Sequence, residues 1–462
     1  MERTTVRDIV RASGGKLLKG DLDTPLKNVS IDSRVMKGQD LFVPLIGERS
    51  DAHDYLAQAI ENGAAAVLCS REMDPLSGVA WIQVEDTLKA LQAVGGDYRE
   101  RMGIPVIGIT GSVGKTTTRE MTATALGAGF QVFKTSRNFN SDIGLPVTMT
   151  EIKENDELAV LEMGMGNFGE MELLSSLAKP QMAIITNIGV AHIEQFGTRE
   201  NIFREKLKIA SSMTSRGTLI LNGDDEYLRT VPKDEKIRQL FYGFGENCQF
   251  RAQEVQDTMS GTTFVAVNGE ERVKVHLPVI GRHMVMNALA ALAAASLQGI
   301  SMEKAAEALA GFSGFQNRQQ IYRFSDFCMI DDTYNASPDS MKASLKVLDS
   351  METAGKKIAV LADMLELGEE SRSFHREVGR FAAGLSVDSL VCIGELAEEI
   401  GKSFLEKRQV DAGGEKPEVH FFISGTEAVP FLKTQTGDGN LLLFKGSNGM
   451  KLSAVTEALR EQ

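Results

Sequence analysis

The chain has 462 residues, which is long for a single domain and predicts two or three domains. A hydrophobic fraction of 42% and a charged fraction of 24% are those of an ordinary soluble globular protein, so several buried cores are expected. The net charge of −13 argues against nucleic acid or an anionic membrane surface as a partner. An anionic substrate must therefore be held by local lysines, arginines and backbone N–H groups.

The cysteines and the apolar runs indicate the compartment. The four cysteines are far apart and form no C-x-x-C pair, which is typical of free thiols in a reducing compartment. The first five residues have no apolar signal region, and the apolar run at 288–297 is too short to cross a membrane. We therefore expect a cytoplasmic protein that does not act at a membrane.

The first 100 residues predict a small α/β domain. Its expected elements are strands at 29–34, 40–47 and 65–68 and a helix at 53–62. Ser33 and Arg34 end the first of these strands. They either bind a phosphate or form a solvated turn, and this segment alone leaves both interpretations open.

The segment at 108–118 reads GITGSVGKTTT, between an apolar strand at 104–109 and a helix at 119–126. The two inner glycines let the backbone curl so that its N–H groups point at phosphate oxygens, and the helix start adds partial positive charge. Lys115 supplies a cation to the outer phosphates and Thr116 a hydroxyl for Mg²⁺. The strict pattern has a glycine where this chain has Ile109, so this is a shorter variant. The predicted nucleotide contacts are Thr110, Gly111, Ser112, Val113, Gly114, Lys115, Thr116 and Thr117.

The central range 101–315 predicts a parallel sheet. Its further strands are expected at 158–163, 182–188 and 218–222, a hairpin at 262–277 and a helix at 286–298. Glu162 and His192 follow two of these strands, at the same sheet edge as the glycine loop, which is where ligands gather in such sheets. Glu162 is a natural Mg²⁺ ligand, whereas a single histidine after a strand is more often a hydrogen-bonded structural residue.

The range 316–462 predicts a doubly wound α/β sheet, because apolar runs alternate with helical stretches. The expected strands are 327–330, 357–361, 390–393, 419–423 and 441–444.

Several separated motifs together resemble the Mur ligase family, and they extend over nearly the whole chain. They lie at 32–34, 40–43, 53–55, 111–117, 138–146, 162–164, 192–206, 281–288, 331–338, 363–368 and 445–447. The resemblance implies three domains of α/β fold. These are a UDP-substrate domain at 1–100, a central P-loop domain that binds ATP at 101–315, and a Rossmann-like domain at 316–462 that closes over the site.

The resemblance also implies a metal site and a modified lysine. Thr116, Glu162, His192 and Lys206 would hold magnesium, with two ions expected. Lys206 would be carbamylated, which turns an ammonium into a carboxylate-like anion and requires a lysine that can lose its proton. Lys115, Lys206 and His192 would be the catalytic residues. Without the motif, Lys206 would be interpreted as an ordinary lysine on a helix surface.

Further contacts are implied in the same way. The adenine nucleotide would meet Asn287, Arg318, Asp332 and Tyr334. The UDP-linked substrate and the incoming amine would meet Ser33, Arg34, Asn138, Asn140, Asn335, Lys445 and Ser447.

The motifs at 331–336 and 363–368 resemble the family member that joins D-alanyl-D-alanine to UDP-N-acetylmuramoyl-tripeptide in peptidoglycan precursor synthesis. The implied reaction is ATP-dependent amide ligation through an acyl phosphate, by a protein that we expect to be a monomer. Two alternatives stay open. One is a related ligase, such as the one that adds the third peptide residue or a folylpolyglutamate-synthetase-like enzyme. The other is a P-loop ATPase or GTPase switch.

Overall fold

The computed structural model describes residues 1–136, 138–258, 260–411 and 418–461, without the side chains of residues 410 and 411. Three large sheets organise the chain, and each lies within one of the three predicted ranges. The domain limits near residues 100 and 315 stay predictions, since the sheets lie inside them without defining them. No helix in the described ranges is long and apolar enough to cross a bilayer.

The first unit is built on a five-stranded sheet. Its elements are β1 (Thr4–Thr5), α1 (Val6–Ser13), β2 (Lys16–Lys19), β3 (Pro25–Leu26), β4 (Asn28–Ser30), β5 (Asp40–Phe42), α2 (Leu56–Glu61), β6 (Ala64–Cys69), β7 (Ala80–Gln83) and α3 (Thr87–Met102). The strand order is β2-β7-β6-β5-β4, and β1 pairs separately with β3. The strand predicted at 29–34 ends earlier, at Ser30, because Ser30 and Asp32 turn the chain with their side chains.

The second unit holds a nine-stranded sheet. Its elements are β8 (Val106–Thr110), α4 (Lys115–Leu126), β9 (Val132–Lys134), α5 (Gly144–Met149), β10 (Leu158–Glu162), α6 (Glu170–Ala178), β11 (Met182–Ile185), α7 (Ile193–Phe196), α8 (Arg199–Leu207), β12 (Thr218–Asn222), β13 (Arg238–Gly243), β14 (Phe250–Thr258), β15 (Gly261–Asn268), β16 (Glu271–Leu277), α9 (Arg282–Leu297) and α10 (Met302–Ala310). The order is β16-β15-β14-β13-β12-β11-β8-β10-β9.

The predicted parallel sheet and hairpin of this unit are confirmed. The strands from β8 to β14 pair in parallel, and β14, β15 and β16 continue the sheet antiparallel. Asn268 pairs with Glu271 at the hairpin turn. The hairpin is therefore the outer part of the same sheet. Helix α4 starts at Lys115, four residues earlier than predicted, because the threonines that follow the lysine already form its first turn.

The third unit holds a six-stranded sheet with helices on both faces. Its elements are β17 (Gln320–Arg323), β18 (Phe327–Asp332), α11 (Pro338–Ser350), β19 (Lys357–Ala362), α12 (Ser371–Ala383), β20 (Ser389–Ile393), α13 (Ala397–Asp411), β21 (Glu418–Phe422), α14 (Gly425–Lys433), β22 (Asn440–Lys445) and α15 (Leu452–Arg460). The order is β17-β18-β22-β19-β20-β21, parallel except at β17. One core lies under α11, α12 and α13 and another under α14 and α15. The predicted doubly wound sheet is confirmed, and the edge strand β17 was not predicted.

Helix α9 is apolar on nearly every side. Ten of its residues between Met284 and Ala295 are buried hydrophobic side chains, mostly alanines. Such small residues allow close contact with α4 on one side and with the sheet on the other. This packing brings Asn287 over the glycine loop, 3.0 Å from where a Cβ on Gly114 would lie.

Tyr98 of α3 joins the first unit to the second. The side chain is fully buried, and its hydroxyl donates to the carbonyl of Ile152 at 2.7 Å and accepts from the amide of Glu2 at 2.9 Å. We expect Tyr98→Phe to lower the free energy of unfolding by about 1–3 kcal/mol, because the buried carbonyl of Ile152 and the partly buried amide of Glu2 lose their partner. The midpoint of urea unfolding measures this. The matched variant Tyr55→Phe, at an exposed tyrosine, should leave the midpoint unchanged, and equal midpoints for both variants would contradict the assignment.

Candidate active site

The glycine loop joins β8 to α4. Gly111 has φ of +148° and Gly114 has φ of +85°, which are backbone angles that favour glycine. The loop is clamped from the end of β11, because the Asn187 side chain accepts from the amide of Val113 at 2.8 Å and the Thr186 hydroxyl donates to the Val113 carbonyl. The neighbouring strand thus fixes the shape of the loop before any ligand binds.

Gly111→Ala should strongly weaken nucleotide binding. A Cβ at this position would lie 1.8 Å from Thr186 Oγ1, so Thr186 or the loop must move and the hydrogen bond from Thr186 to Val113 is lost. We expect the dissociation constant for ATP, measured by calorimetry, to rise at least about 100-fold, which corresponds to about 2.7 kcal/mol. Gly96→Ala is the control. Gly96 lies inside helix α3, and its Cβ would make only an ordinary contact of 3.5 Å with Leu177. Unchanged ATP affinity in Gly111→Ala would show that the loop is not the nucleotide site.

The loop opens into a cavity of about 640 Å³ between the second and third units. Most of the predicted site residues line it. They are Ser112, Val113, Gly114, Lys115, Thr116, Thr117, Asn138, Asn140, Glu162, His192, Lys206, Asn287, Arg318, Asp332, Tyr334, Asn335, Lys445 and Ser447.

Four predicted residues do not line this cavity. Thr110, the last residue of β8, and Gly111, the first residue of the loop, are both buried. Ser33 and Arg34 lie in the first unit, where Ser33 Oγ donates to Gln58 at 2.7 Å. Arg34 makes a bidentate pair with Asp32 and lowers the pKa of that carboxyl to about 2, while its own side chain stays 78% exposed. Their contact with the UDP end of a substrate stays a prediction.

Lys115 has no anionic partner within hydrogen-bonding distance among the described residues. Its Nζ donates to the carbonyl of Gly111 at 2.8 Å. Burial lowers the pKa of Lys115, and the Glu162 carboxylate opposes this shift. A cation held in a polar cavity at the start of a helix suits the phosphates of a nucleotide.

Glu162 lies at the end of β10, as predicted from the strand pattern, and is 3% exposed. Thr116 Oγ1 donates to its Oε2 at 2.9 Å, and the Asn140 amide donates to its Oε1 at 2.8 Å. Arg119 Nη1 also reaches Oε2, at 3.1 Å. The carboxylate and the loop hydroxyl thus meet at one point in the cavity.

His192 and Lys206 line the same cavity as Glu162. His192 Nδ1 lies 2.8 Å from Glu366 Oε2. Burial and then the charge of Lys115 lower the pKa of His192, and the Glu366 carboxylate opposes that shift. Lys206 is 2% exposed, and burial together with the charge of Lys115 holds its pKa well below the ordinary value.

These residues fit a magnesium ion. No group of three or more His, Cys, Asp or Glu side chains within the described ranges could enclose a metal. Mg²⁺ needs no such cage, since it keeps several waters and takes one or two protein oxygens. The Glu162 carboxylate beside the Thr116 hydroxyl supplies those oxygens in a polar cavity. Carbamylation of Lys206 would add a third.

The third unit contributes the far wall. The Arg318 guanidinium lies 3.9 Å from the centroid of the Tyr334 ring, and its buried Nε has no hydrogen-bond partner among the described residues. Lys445 Nζ is held by Asp332 Oδ2 at 2.6 Å and by the Asn335 carbonyl at 3.0 Å. The Ser447 hydroxyl accepts from the amide of Leu365 at 2.9 Å. Lys445 and Ser447 therefore shape this wall with contacts inside the protein.

Two residues of the site were not predicted. Arg119 is 1% exposed and lies between Glu120 and Glu162. It stands three residues after Thr116 on one helix face, and that spacing could have indicated it. Glu366 lies in the motif at 363–368, but its contact with His192 depends on how two units meet, for which the sequence carries no local signal.

Comparison with known proteins accounts for these features. Residues 25–99 match the Mur ligase family catalytic domain, 109–295 the Mur ligase middle domain, and 317–448 the Mur ligase glutamate ligase domain. A UDP-N-acetylmuramoyl-tripeptide–D-alanyl-D-alanine ligase of Bacillus subtilis is 39% identical, over 100% of this chain and 99% of the relative.

Solved structures show the same similarity. A crystal structure of MurF from Acinetobacter baumannii superposes with a TM-score of 0.90 at 31% identity, covering 99% of each chain. MurF from Thermotoga maritima in complex with ADP superposes at 0.83 with 28% identity, covering 96% of this chain and 99% of that one. With three matched domains and full-length similarity above 30% identity, the chain belongs to the Mur ligase family.

Proposed function

We propose that the chain is an ATP-dependent amide ligase that joins D-alanyl-D-alanine to UDP-N-acetylmuramoyl-tripeptide. The full-length relatives named for this reaction and the MurF structures support the assignment. The observation that carries it is the convergence on one cavity of Lys115, Glu162 and Lys206 from the second unit with Arg318 from the third. Its place would be peptidoglycan precursor synthesis in the cytoplasm.

The reaction divides into two transfers. A carboxylate oxygen of the tripeptide attacks the γ-phosphorus of ATP, the bond to ADP breaks, and an acyl phosphate forms. The amine of D-alanyl-D-alanine then attacks the acyl carbon, phosphate leaves with the electrons of the C–O bond, and the nitrogen loses a proton. Both steps build negative charge on phosphoryl oxygens.

The residues of the second unit suit that charge. Lys115 would exchange its bond to the Gly111 carbonyl for the outer phosphates, and the first N–H groups of α4 would hold the same oxygens. Magnesium, held by Glu162, Thr116, His192 and carbamylated Lys206, would supply positive charge to the phosphoryl oxygens. Two ions fit the family pattern, and the second is part of this proposal.

The third unit would hold the nucleotide and align the acceptor. Arg318 and Tyr334 face the cavity from there, and Asn287 faces it from α9. Holding three substrates in register converts an encounter of separate molecules into a local reaction, which supplies several kcal/mol of the barrier. A monomer whose units close on binding meets this need.

Phosphate release separates this function from its alternatives. With ATP, Mg²⁺ and UDP-N-acetylmuramoyl-tripeptide, release should require D-alanyl-D-alanine, and mass spectrometry should find the UDP-linked pentapeptide. Offering UDP-tripeptides with lysine or diaminopimelate as the third residue identifies the natural substrate. Release with a single amino acid on a UDP-dipeptide would point to the ligase of the third residue. Release without any amine would point to an ATPase switch.

A further inference from the structure

One contact between the second and third units has no role in the reaction proposed above. Glu366 of the third unit places Oε2 2.8 Å from His192 Nδ1 of the second. Beside it, a Cβ on Gly368 would lie 3.5 Å from the backbone of Glu194, so the loop that carries Glu366 rests against the start of α7.

Both partners stand on unusual backbone. His192 has φ of +62° and Glu366 also has φ of +62°, which side chains other than glycine rarely adopt. Such conformations persist only where the surroundings hold them, and they cluster at functional sites. Two of them facing each other across an interface indicate a contact that both units are built to make.

The loop of Glu366 is held from within the third unit. His375 is fully buried, and its Nε2 accepts from the amide of Met364 at 2.9 Å. Ser447 Oγ accepts from the amide of Leu365 at 2.9 Å, and its own amide donates to the carbonyl of Asp363 at 3.0 Å. Glu366 is therefore presented on a rigid loop, although its side chain is 64% exposed.

The contact selects one form of the imidazole. A carboxylate only accepts hydrogen bonds, so the ring nitrogen that lies 2.8 Å from Glu366, Nδ1, is the one that must carry a proton. In a neutral ring Nε2 then keeps its lone pair, and the structure gives Nε2 no hydrogen-bond partner among the described residues. Histidine that binds a metal is commonly held in this way, with the second ring nitrogen on a carboxylate.

We propose that Glu366 is a positioning residue, which crosses from the third unit to hold the His192 ring with Nε2 free for the metal. The metal site would then be complete only when the two units are closed. This inference deepens the proposed function and depends on it. As an exposed pair the contact adds little to stability, so its effect lies in the orientation of the ring.

Nitrogen NMR of the full-length, ligand-free protein tests the orientation. The chain has six histidines, and His192→Gln assigns the relevant signals. At pH 8 we expect His192 to carry its proton on Nδ1. In Glu366→Ala the proton should move to Nε2, whereas Glu366→Gln retains an acceptor oxygen and should retain the Nδ1 form. An unchanged tautomer in Glu366→Ala overturns the proposal.

Kinetics provide the second test. Glu366→Ala should lower kcat for ligation about 10- to 100-fold with little change in KM for D-alanyl-D-alanine, and Glu366→Gln should recover most of it. Glu369→Ala removes an exposed carboxylate from the same segment and should leave kcat within about twofold. Equal kcat in Glu366→Ala and Glu369→Ala would contradict the role. If the wild-type protein shows no ligation, the proposed function fails, whereas the tautomer result reports on Glu366 independently.

Discussion

Lys115→Ala is expected to lower kcat/KM for ligation by about 10³-fold or more while the protein stays folded. The side chain bonds the glycine loop that would hold the outer phosphates, and charge grows on those oxygens in both transfers. Removing its single hydrogen bond to the Gly111 carbonyl leaves the loop clamped by Thr186 and Asn187, so the thermal midpoint should change little.

Phosphate release measures the loss of kcat/KM, and circular dichroism measures the thermal midpoint. Lys89→Ala is the matched control, since Lys89 is an exposed lysine of α3 outside the cavity. It should retain full activity. Ligation by Lys115→Ala at more than a tenth of the wild-type rate would exclude the lysine from the phosphate site.

Lys206→Ala is expected to lose ligation by about 10³-fold and to recover part of it with millimolar acetate or propionate. A small carboxylate can occupy the space left by the side chain and replace the anion that a carbamate on Lys206 would supply. Lys206→Arg should stay inactive with or without these acids, because a guanidinium stays protonated and cannot be carbamylated. Rescue assays with both variants measure this, and the absence of rescue together with an active Lys206→Arg would refute the carbamate.

A carbamate on Lys206 would be visible by carbon NMR after labelling with ¹³C-bicarbonate. Burial holds the pKa of Lys206 well below the ordinary value, so the amine is neutral above that lowered pKa and can add CO₂. Falling pH protonates the amine, so the signal and the activity should both decline as the solution is acidified. Lys208, whose pKa is raised by Glu205, stays charged at neutral pH, and Lys208→Ala should keep the carbamate signal.

Local sequence patterns were sufficient to predict much of the fold and the part of the site around the glycine loop. The apolar runs identified the parallel strands, and the strand-end rule brought Glu162 to the glycine loop, where it meets Thr116 at 2.9 Å. Both predictions need only residues that are adjacent in the sequence and the general geometry of parallel sheets. The largely buried helix α9 was recognised as a helix, but its alanines did not reveal that it packs against α4.

The rest of the site depends on how separate units pack. Glu366 lies beside His192 across the second and third units, and Arg318 meets Tyr334 from another segment of the third unit. The motifs at these positions singled out the residues through family resemblance, while the contacts themselves required the structure. Strand β17 was missed for a related reason. Its four residues have an exposed or half-buried pattern without the apolar run that marked the other strands.

The hydrogen bond from Lys115 to the Gly111 carbonyl gives the ligand-free protein a resting state for its main cation. A single phosphate or sulfate ion can meet the start of α4, whereas a nucleoside triphosphate would also reach the metal ligands and so gain more contacts when it displaces that carbonyl. We therefore expect a triphosphate to displace the carbonyl more readily than a single inorganic anion does. Selectivity for a triphosphate would thus begin at Lys115, because the ligand must replace the hydrogen bond between this lysine and the Gly111 carbonyl.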